Sequence, residues 1–249
     1  MKKIITFIAL SVYASVAHAG DPYKTWPEEV AASEKFKSAL RKNDRQAVAG
    51  MIQYPLDRKK PLLTIRDEKE FLANWEDYFD ETNIAEVLAD KPEDFGWRGM
   101  ALGGGNVWFN GDKINAINLQ TEHYQQTLKT AIKEDNEKLN PLAKNYTALA
   151  FACDTAHMHI RVQEHGKGDL RLFGWSRKGA LRDTPLFTLK SGSWEPQGNG
   201  GNAIYVFNSD ALKYEVQETH LCGEDCNHYL VTSRKGEQIS REQCNETNQ

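Results

Sequence analysis

The chain has 249 residues, of which 31 are Lys or Arg and 35 are Asp or Glu, so its formal net charge is −4 at pH 7. This length allows one large domain or two small ones. The basic residues are scattered along the chain and form no patch, which argues against nucleic acid as a partner.

The N-terminal stretch predicts a secretory signal peptide over residues 1–19. A basic pair, Lys2-Lys3, precedes an apolar run over residues 4–12, and Ala17-His18-Ala19 supplies small residues at the −3 and −1 positions of a cleavage site. The alternative is a core helix. The apolar run is shorter than the about 20 residues that a membrane span needs. The short lysine start resembles bacterial signals, so we expect cleavage before Gly20, a periplasmic location and no membrane span.

The first half of the chain mixes helical and strand patterns. Asp44 and Asp67 stand where each can cap the start of a helix. In the stretch DEKEFLANWEDYF, Phe71, Trp75 and Phe79 repeat every four positions. Such a stripe is typical of a helix packed in a core rather than of a cofactor site, so we expect no cofactor here.

A β-hairpin is predicted around Asn110-Gly111, which separates the strand patterns NVWF and DKINAINL. This dipeptide tolerates the positive φ angles of a type I′ turn. The triplet Gly103-Gly104-Gly105 lacks the lysine and hydroxyl of a phosphate-binding loop, and no helical pattern follows it. We therefore interpret the triplet as a bend or bulge in a sheet.

Three stretches of this first half, LRKNDRQAVAGMIQYPL, TIRDEKEFLANWEDYF and GMALGGGNVWFNGDKINAIN, resemble periplasmic members of the nuclear-transport-factor-like, or SnoaL-like, family. The resemblance implies a cone-shaped, curved antiparallel sheet that wraps around helices and leaves a pocket. Trp97 and Trp108 are the candidates to line that pocket. Enzymes of the family place acids or histidines in the cone, whereas the only histidine of this segment, His123, matches no such position. No catalytic residue is therefore assigned.

From Tyr146 onward the patterns are almost entirely strand and turn. In AHMHIRVQ the apolar residues Met158, Ile160 and Val162 alternate with polar ones, which predicts a strand with one buried and one solvated face. Many short strands with close turns favour a small barrel or sandwich. The polar stretch 136–145 is interpreted as a linker. The predicted fold is thus α+β, with a cone-like domain over 20–139 and an all-β domain over 146–249.

All four cysteines lie in the second segment, at Cys153, Cys222, Cys226 and Cys244. An even number of cysteines in an exported protein favours two disulfides. The pair Cys153–Cys244 would tie the first strand to the last, and Cys222–Cys226 would staple an exposed turn. Free thiols and a metal site are the alternatives.

Two histidine patterns raise the question of a metal. His220 and His228 flank the Cys222–Cys226 stretch, but a zinc site there requires reduced thiolates. His157 and His159 share a strand face with a cationic residue, and a solvated face explains them more simply. We therefore expect no metal.

The stretches YVFNSDALKYEVQE and YLVTSRKGEQISREQC resemble the small secreted inhibitors of C-type lysozyme, the MliC-like barrels. Members of that family are compact β-barrels with a cysteine near each end. They insert a loop that carries serine, tyrosine and lysine into the lysozyme cleft. The corresponding stretch here, Lys190 to Trp194, lacks the tyrosine. The resemblance implies a barrel architecture and an inhibitory function.

No G-x-S-x-G, H-E-x-x-H or recognisable carboxylate pair occurs in the sequence. We therefore predict a non-enzymatic periplasmic protein, an inhibitor or immunity protein that occludes a cell-wall-active enzyme or a delivered toxin. Its candidate contacts are Trp194, Glu224 and Asp225, although Trp194 could instead plug one end of the barrel. The alternative is a small-ligand-binding protein or an enzyme that uses the cone pocket, because catalytic residues need only meet in space.

Overall fold

The computed structural model describes residues 26–197, 201–220 and 227–247. The predicted signal peptide and the predicted Cys222–Cys226 pair lie outside these residues, as do Glu224 and Asp225. The described chain combines helices with antiparallel sheets, and eight of its strands close into a barrel. Within the described ranges, no helix has both the length and the apolar character that crossing a bilayer requires.

The first unit begins with five helices. They are α1 (Pro27–Arg41), α2 (Arg45–Met51), α3 (Glu68–Ala73), α4 (Trp75–Tyr78) and α5 (Glu81–Ala89). The predicted caps are confirmed, because the Asp44 carboxylate accepts the amide of Ala47 and the Asp67 carboxylate accepts that of Glu70. A third cap, Asp80, starts α5 in the same way.

Four strands follow, β1 (Pro92–Asp94), β2 (Met100–Leu102), β3 (Val107–Asn110) and β4 (Lys113–Ile117), and they pair in that order as an antiparallel sheet. The predicted hairpin is confirmed, with Gly111 at φ 60° in the turn between β3 and β4. The triplet Gly103-Gly104-Gly105 forms the turn between β2 and β3, and all three residues have positive φ.

The helices and this sheet share one apolar core. The aromatic stripe lies inside it as predicted: Phe71, Trp75 and Phe79 are all buried and their rings pack against one another. Phe36 of α1 joins them by packing against Phe79 and against Phe109 of β3. The inner face of the sheet is therefore covered by side chains.

A long helix, α6 (Glu122–Lys138), links the two units. Its first turn packs on α4, where the Thr121 hydroxyl donates to the Glu76 carbonyl at 2.6 Å. Its last turn and a short 3₁₀ turn, Pro141–Ala143, pack on the outside of the barrel. Within the predicted linker over residues 136–145, Leu139 and Ala143 are buried in the same apolar cluster as Trp175.

The barrel has eight antiparallel strands in the order β10-β11-β12-β5-β6-β7-β8-β9. They are β5 (Ala148–Asp154), β6 (Met158–Glu164), β7 (Leu170–Ser176), β8 (Phe187–Gln197), β9 (Asn202–Asn208), β10 (Leu212–Glu218), β11 (His228–Arg234) and β12 (Glu237–Glu246). The last strand closes the barrel on the first, with Glu246 opposite Cys153. Between the two predicted architectures, the barrel is the one formed.

Apolar side chains fill the inside of the barrel. Phe151, Leu172 and Phe207 are fully buried there, together with the disulfide between Cys153 and Cys244, which confirms that predicted pair. Packing is tight enough that a Cβ atom at Gly192 would lie 2.1 Å from the ring of Phe207.

The outer face of β6 is not solvated as the alternating pattern suggested. Arg161, on that face, is only 2% exposed because the end of α6 covers it. Its guanidinium pairs with the Asp135 carboxylate at 2.5 Å, and the Tyr146 hydroxyl donates to the same carboxylate at 2.7 Å. His159, on the same strand, contacts Asp154 at 2.5 Å.

Candidate functional site

One end of the barrel carries Trp194, the predicted contact that lies within the described residues. Strands β6, β8, β10 and β12 finish at this end, and β5, β7, β9 and β11 begin there. We call it the Trp194 end, because Trp194 lies in the last part of β8. The connection between β10 and β11 also leaves from this end, and it contains the predicted contacts Glu224 and Asp225, which lie outside the described residues.

Trp194 is 55% exposed on a well-paired strand. It pairs with Tyr205 of β9, whose ring is buried in the barrel core. Directly paired residues of antiparallel strands place their side chains on the same face of the sheet, so Trp194 shares the inner face with Tyr205 and is exposed at the end of the barrel. The Tyr205 hydroxyl donates to Glu218 Oε2 at 3.0 Å, so the residue opposite Trp194 is fixed from inside.

Glu218 links Tyr205 to His220. The second carboxylate oxygen, Oε1, lies 2.9 Å from His220 Nε2. The hydrogen bond to Glu218 is the main reason that the pKa of His220 is raised, and the charges of Glu246 and Asp57 add to it against the opposing effect of burial. The Glu218 carboxylate therefore connects the Trp194 end with a group of ionisable side chains.

That group borders a cleft of about 410 Å³ between the barrel and the first unit. The lining residues come from the loop before α3, from α6 and from the barrel, and they are Asp57, Arg58, Lys59, Lys60, Thr64, Leu128, Ile132, Thr147, Ala148, Leu149, Ala150, Glu218, His220 and Glu246. One wall is apolar and the other is charged.

Glu246 is the centre of the charged wall. The Lys60 ammonium lies 2.6 Å from its Oε1 atom and donates to the Thr247 carbonyl at 3.1 Å. His228 Nε2 lies 3.6 Å from Oε2 of Glu246. Because His228 Nδ1 accepts a hydrogen bond from the Thr219 amide, the ring proton is on Nε2 and faces the Glu246 carboxylate. The interaction with His228 and that with Lys60 lower the pKa of Glu246 to about 2.

Asp57 stands at the mouth of the same cleft. Desolvation by the surrounding protein raises the pKa of its carboxyl group, and the negative charge of Glu246 adds to that effect. The charges of Lys60 and His220 oppose it. Among the described residues, Glu218 and Glu246 have salt-bridge partners whereas Asp57 has none.

A second concave surface lies wholly in the first unit. It is an open groove of about 980 Å³ that passes Arg45, Trp75 and His123. His123 Nδ1 lies 2.9 Å from Oδ1 of the buried Asp77, which also receives hydrogen bonds from Arg58 and Thr127. Asp77 therefore orients the imidazole with Nε2 directed away from it. The sequence did not single out this pair, because its two residues are 46 positions apart.

Trp97 and Trp108, the predicted pocket residues, line neither of these two concave surfaces. Trp97 is 62% exposed in the short 3₁₀ turn Gly96–Arg98. The ring of Trp108 packs on Phe95 with centroids 4.9 Å apart. The Arg98 guanidinium lies over both of those rings, at 5.7 and 6.0 Å from their centroids.

Among the described residues, no group of three His, Cys, Asp or Glu side chains has the arrangement of a metal site.

Comparison with known proteins adds no identity, since the chain matches no family model, no curated protein and no solved structure. The candidate sites therefore rest on geometry alone.

Proposed function

We propose that this protein works by binding another protein in the periplasm, and that it occludes a cell-wall-active enzyme or a delivered toxin. The observation that supports this proposal best is the exposure of Trp194 on a strand of the closed barrel. The barrel interior is filled by side chains, so its outer surface and its ends are what remain for binding. This use of the second unit is also what the MliC-like resemblance implies.

Trp194 has the properties of an interface anchor. A tryptophan buries a large area, and its two rotatable bonds cost little entropy when it is immobilised. At Trp194 itself the strand pairs with Tyr205 of β9, and the pairing with β7 ends at Gly192. A partner that covers Trp194 therefore has little backbone to order, which favours affinity. The predicted acidic contacts Glu224 and Asp225 would extend this surface and favour a basic partner.

The first unit and the N-terminal segment also have a place in the proposed function. A cone-like curvature of the first unit, as in SnoaL-like proteins, agrees with a short antiparallel sheet that packs on helices. Export through the predicted signal peptide agrees with the disulfide, since such bonds persist in oxidising compartments. Mass spectrometry of the exported protein should find residues 1–19 removed, and a retained N-terminus would contradict the export step.

The binding proposal is tested with Trp194→Ala and a matched control, Trp97→Ala, since both side chains are more than half exposed. A pull-down from periplasmic extract identifies the partner, and titration calorimetry then measures its affinity for each variant. We expect Trp194→Ala to weaken binding by about 30-fold or more, which is about 2 kcal/mol, and to leave the melting temperature nearly unchanged. Trp97→Ala should bind like the parent protein.

Equal effects of the two substitutions, or no effect of either, would contradict a contact surface at the Trp194 end. Inhibition assays provide a second readout, in which a C-type lysozyme and other cell-wall hydrolases are tested against both variants. A loss of inhibition that is specific to Trp194→Ala supports the proposal.

The oriented His123 favours a second candidate function, an enzyme or ligand-binding protein that uses the groove of the first unit. A histidine held by a buried aspartate can accept a proton from a bound molecule through its free Nε2 atom. His123→Ala removes that atom from an exposed position, so the fold should tolerate the change. Any activity or ligand binding assigned to the groove should be lost in this variant and kept in Trp194→Ala.

A further inference from the structure

The cleft between the two units combines an apolar wall with a charged mouth. Leu128 and Ile132 of α6 and Leu149 and Ala150 of β5 form the apolar side. The volume of about 410 Å³ lies within the range of about 300–1,000 Å³ that is usual for small-molecule sites. A ligand for this cleft therefore needs an aliphatic part together with a polar group.

The charged side indicates the sign of that polar group. Glu246 is compensated by Lys60 and His228, and Glu218 is compensated by His220. The Lys60 ammonium is directed to Glu246 and to the Thr247 carbonyl. The other two cations of the lining are also engaged, because Arg58 pairs with the buried Asp77 and the Lys59 ammonium donates to Gln120 Oε1. Within the part of the chain that the structure describes, Asp57 is the carboxylate of the cleft without a salt-bridge partner. A cation placed at the mouth of the cleft would give Asp57 a salt-bridge partner.

We infer that this cleft binds an alkylammonium group, with the ammonium beside Asp57 and the alkyl chain along Leu128, Ile132, Leu149 and Ala150. A primary ammonium has three donors on a compact charge, which suits the carboxylate oxygens of Asp57. An aliphatic carboxylate would meet repulsion from Asp57, and an aliphatic alcohol would gain only a neutral hydrogen bond. The same chemistry is carried by a free aliphatic amine and by a lysine side chain of a partner.

The test uses the exported full-length protein and three probes of equal chain length, hexylamine, hexanol and hexanoate, with binding followed by calorimetry and by ligand-observed NMR. We expect hexylamine to bind at least tenfold more tightly than hexanol, and hexanoate not to bind. Asp57→Asn should weaken hexylamine at least tenfold and remove the preference for it over hexanol. The matched control is Asp210→Asn, an exposed aspartate between β9 and β10 at the opposite end of the barrel.

A second variant tests the apolar wall. Leu128 is half-buried on the surface of α6, so Leu128→Ala should fold. In the parent protein the affinity should rise about fourfold with each methylene from butylamine to hexylamine. This increase should be smaller in Leu128→Ala. Equal binding of amine and carboxylate, or no effect of Asp57→Asn on hexylamine, would overturn the inference.

The source of the ammonium is distinguished with acetyl-lysine amide. Binding as tight as that of butylamine supports a lysine side chain, and selective binding of hexylamine supports a free amine. Failure of every amine to bind overturns the site. Because the probes need no protein partner, hexylamine should bind equally to Trp194→Ala, so the cleft and the proposed function can fail separately.

Discussion

The buried ion pair between Asp135 and Arg161 fastens α6 to the barrel, and its removal is the sharpest test of how the two units are joined. Both side chains are almost fully buried, and the Tyr146 hydroxyl donates to the same carboxylate. Removing one partner of such a pair leaves an uncompensated charge in the interior, which costs about 3–5 kcal/mol. Arg161→Met and Asp135→Leu should therefore each destabilise the protein by this amount.

In a chain of this size 1 kcal/mol shifts the melting temperature by about 2–4 °C, so each single variant should melt at least about 6 °C lower than the parent. The double variant should regain most of the loss, because an apolar pair avoids the desolvation of both charges. Calorimetric melting of the four proteins completes a double-mutant cycle. Single variants that melt within 1 °C of the parent would refute the buried pair, and additive losses in the double variant would refute the coupling.

Three further predictions concern the barrel and the cleft. Loss of the Cys153–Cys244 bond by double serine substitution should cost about 4.6 kcal/mol on the chain-entropy model, seen as a lower denaturation midpoint. Gly192→Ala should lower the free energy of unfolding by about 1–3 kcal/mol, because the new Cβ atom would meet the buried ring of Phe207. The control Gly50→Ala, in α2, should not destabilise the protein. The pKa of Glu246 is lowered, so its contribution to stability is present above pH 4.5 and is lost as the pH falls to about 2. The variant Glu246→Gln should lack this acid-dependent loss of stability.

Short-range chemistry in the sequence predicted local structure well. A cap such as Asp67 and a turn such as Asn110-Gly111 depend on atoms within a few residues, so the pattern alone determines the geometry. The strands of the second unit were also predictable, from the alternation of apolar and polar residues along each of them. The alternation left a barrel and a sandwich as alternatives, because closure depends on the pairing of β12 with β5, which are far apart along the chain.

The prediction of a solvated outer face on β6 was wrong because α6 docks there. Its end covers the outer face of β6 and buries Arg161, which a period-two pattern assigns to solvent. The same docking buries Leu139 and Ala143 in a stretch whose composition suggests a linker. Composition reports the polarity of a segment, whereas burial depends on what packs against it. The cleft could not be predicted for the same reason, since its lining comes from five separate segments of the chain.

Two histidines of the barrel provide a final prediction, because their pKa values are shifted in opposite directions. The pKa of His220 is raised, mainly by its hydrogen bond with Glu218 and also by the charges of Glu246 and Asp57. The pKa of His165 is lowered, mainly by burial, and the charges of Arg171 and Lys190 add to this while Asp169 opposes it. His220 thus binds its proton more tightly in the folded protein, and His165 binds its proton less tightly.

The sign of each contribution follows from proton linkage. The stability contributed by His220 is fully present below pH 6.5 and is lost as the pH rises through its raised pKa. The contribution of His165 is present above pH 6.5 and is lost as the pH falls through its lowered pKa. In the parent protein, His165 thus makes the stability rise with pH below pH 6.5, and His220 makes it fall with pH above pH 6.5. The free energy of unfolding should therefore rise with pH in His220→Gln and fall with pH in His165→Gln, as measured by urea denaturation. Slopes of the same sign in both variants would contradict the geometry from which the two shifts arise.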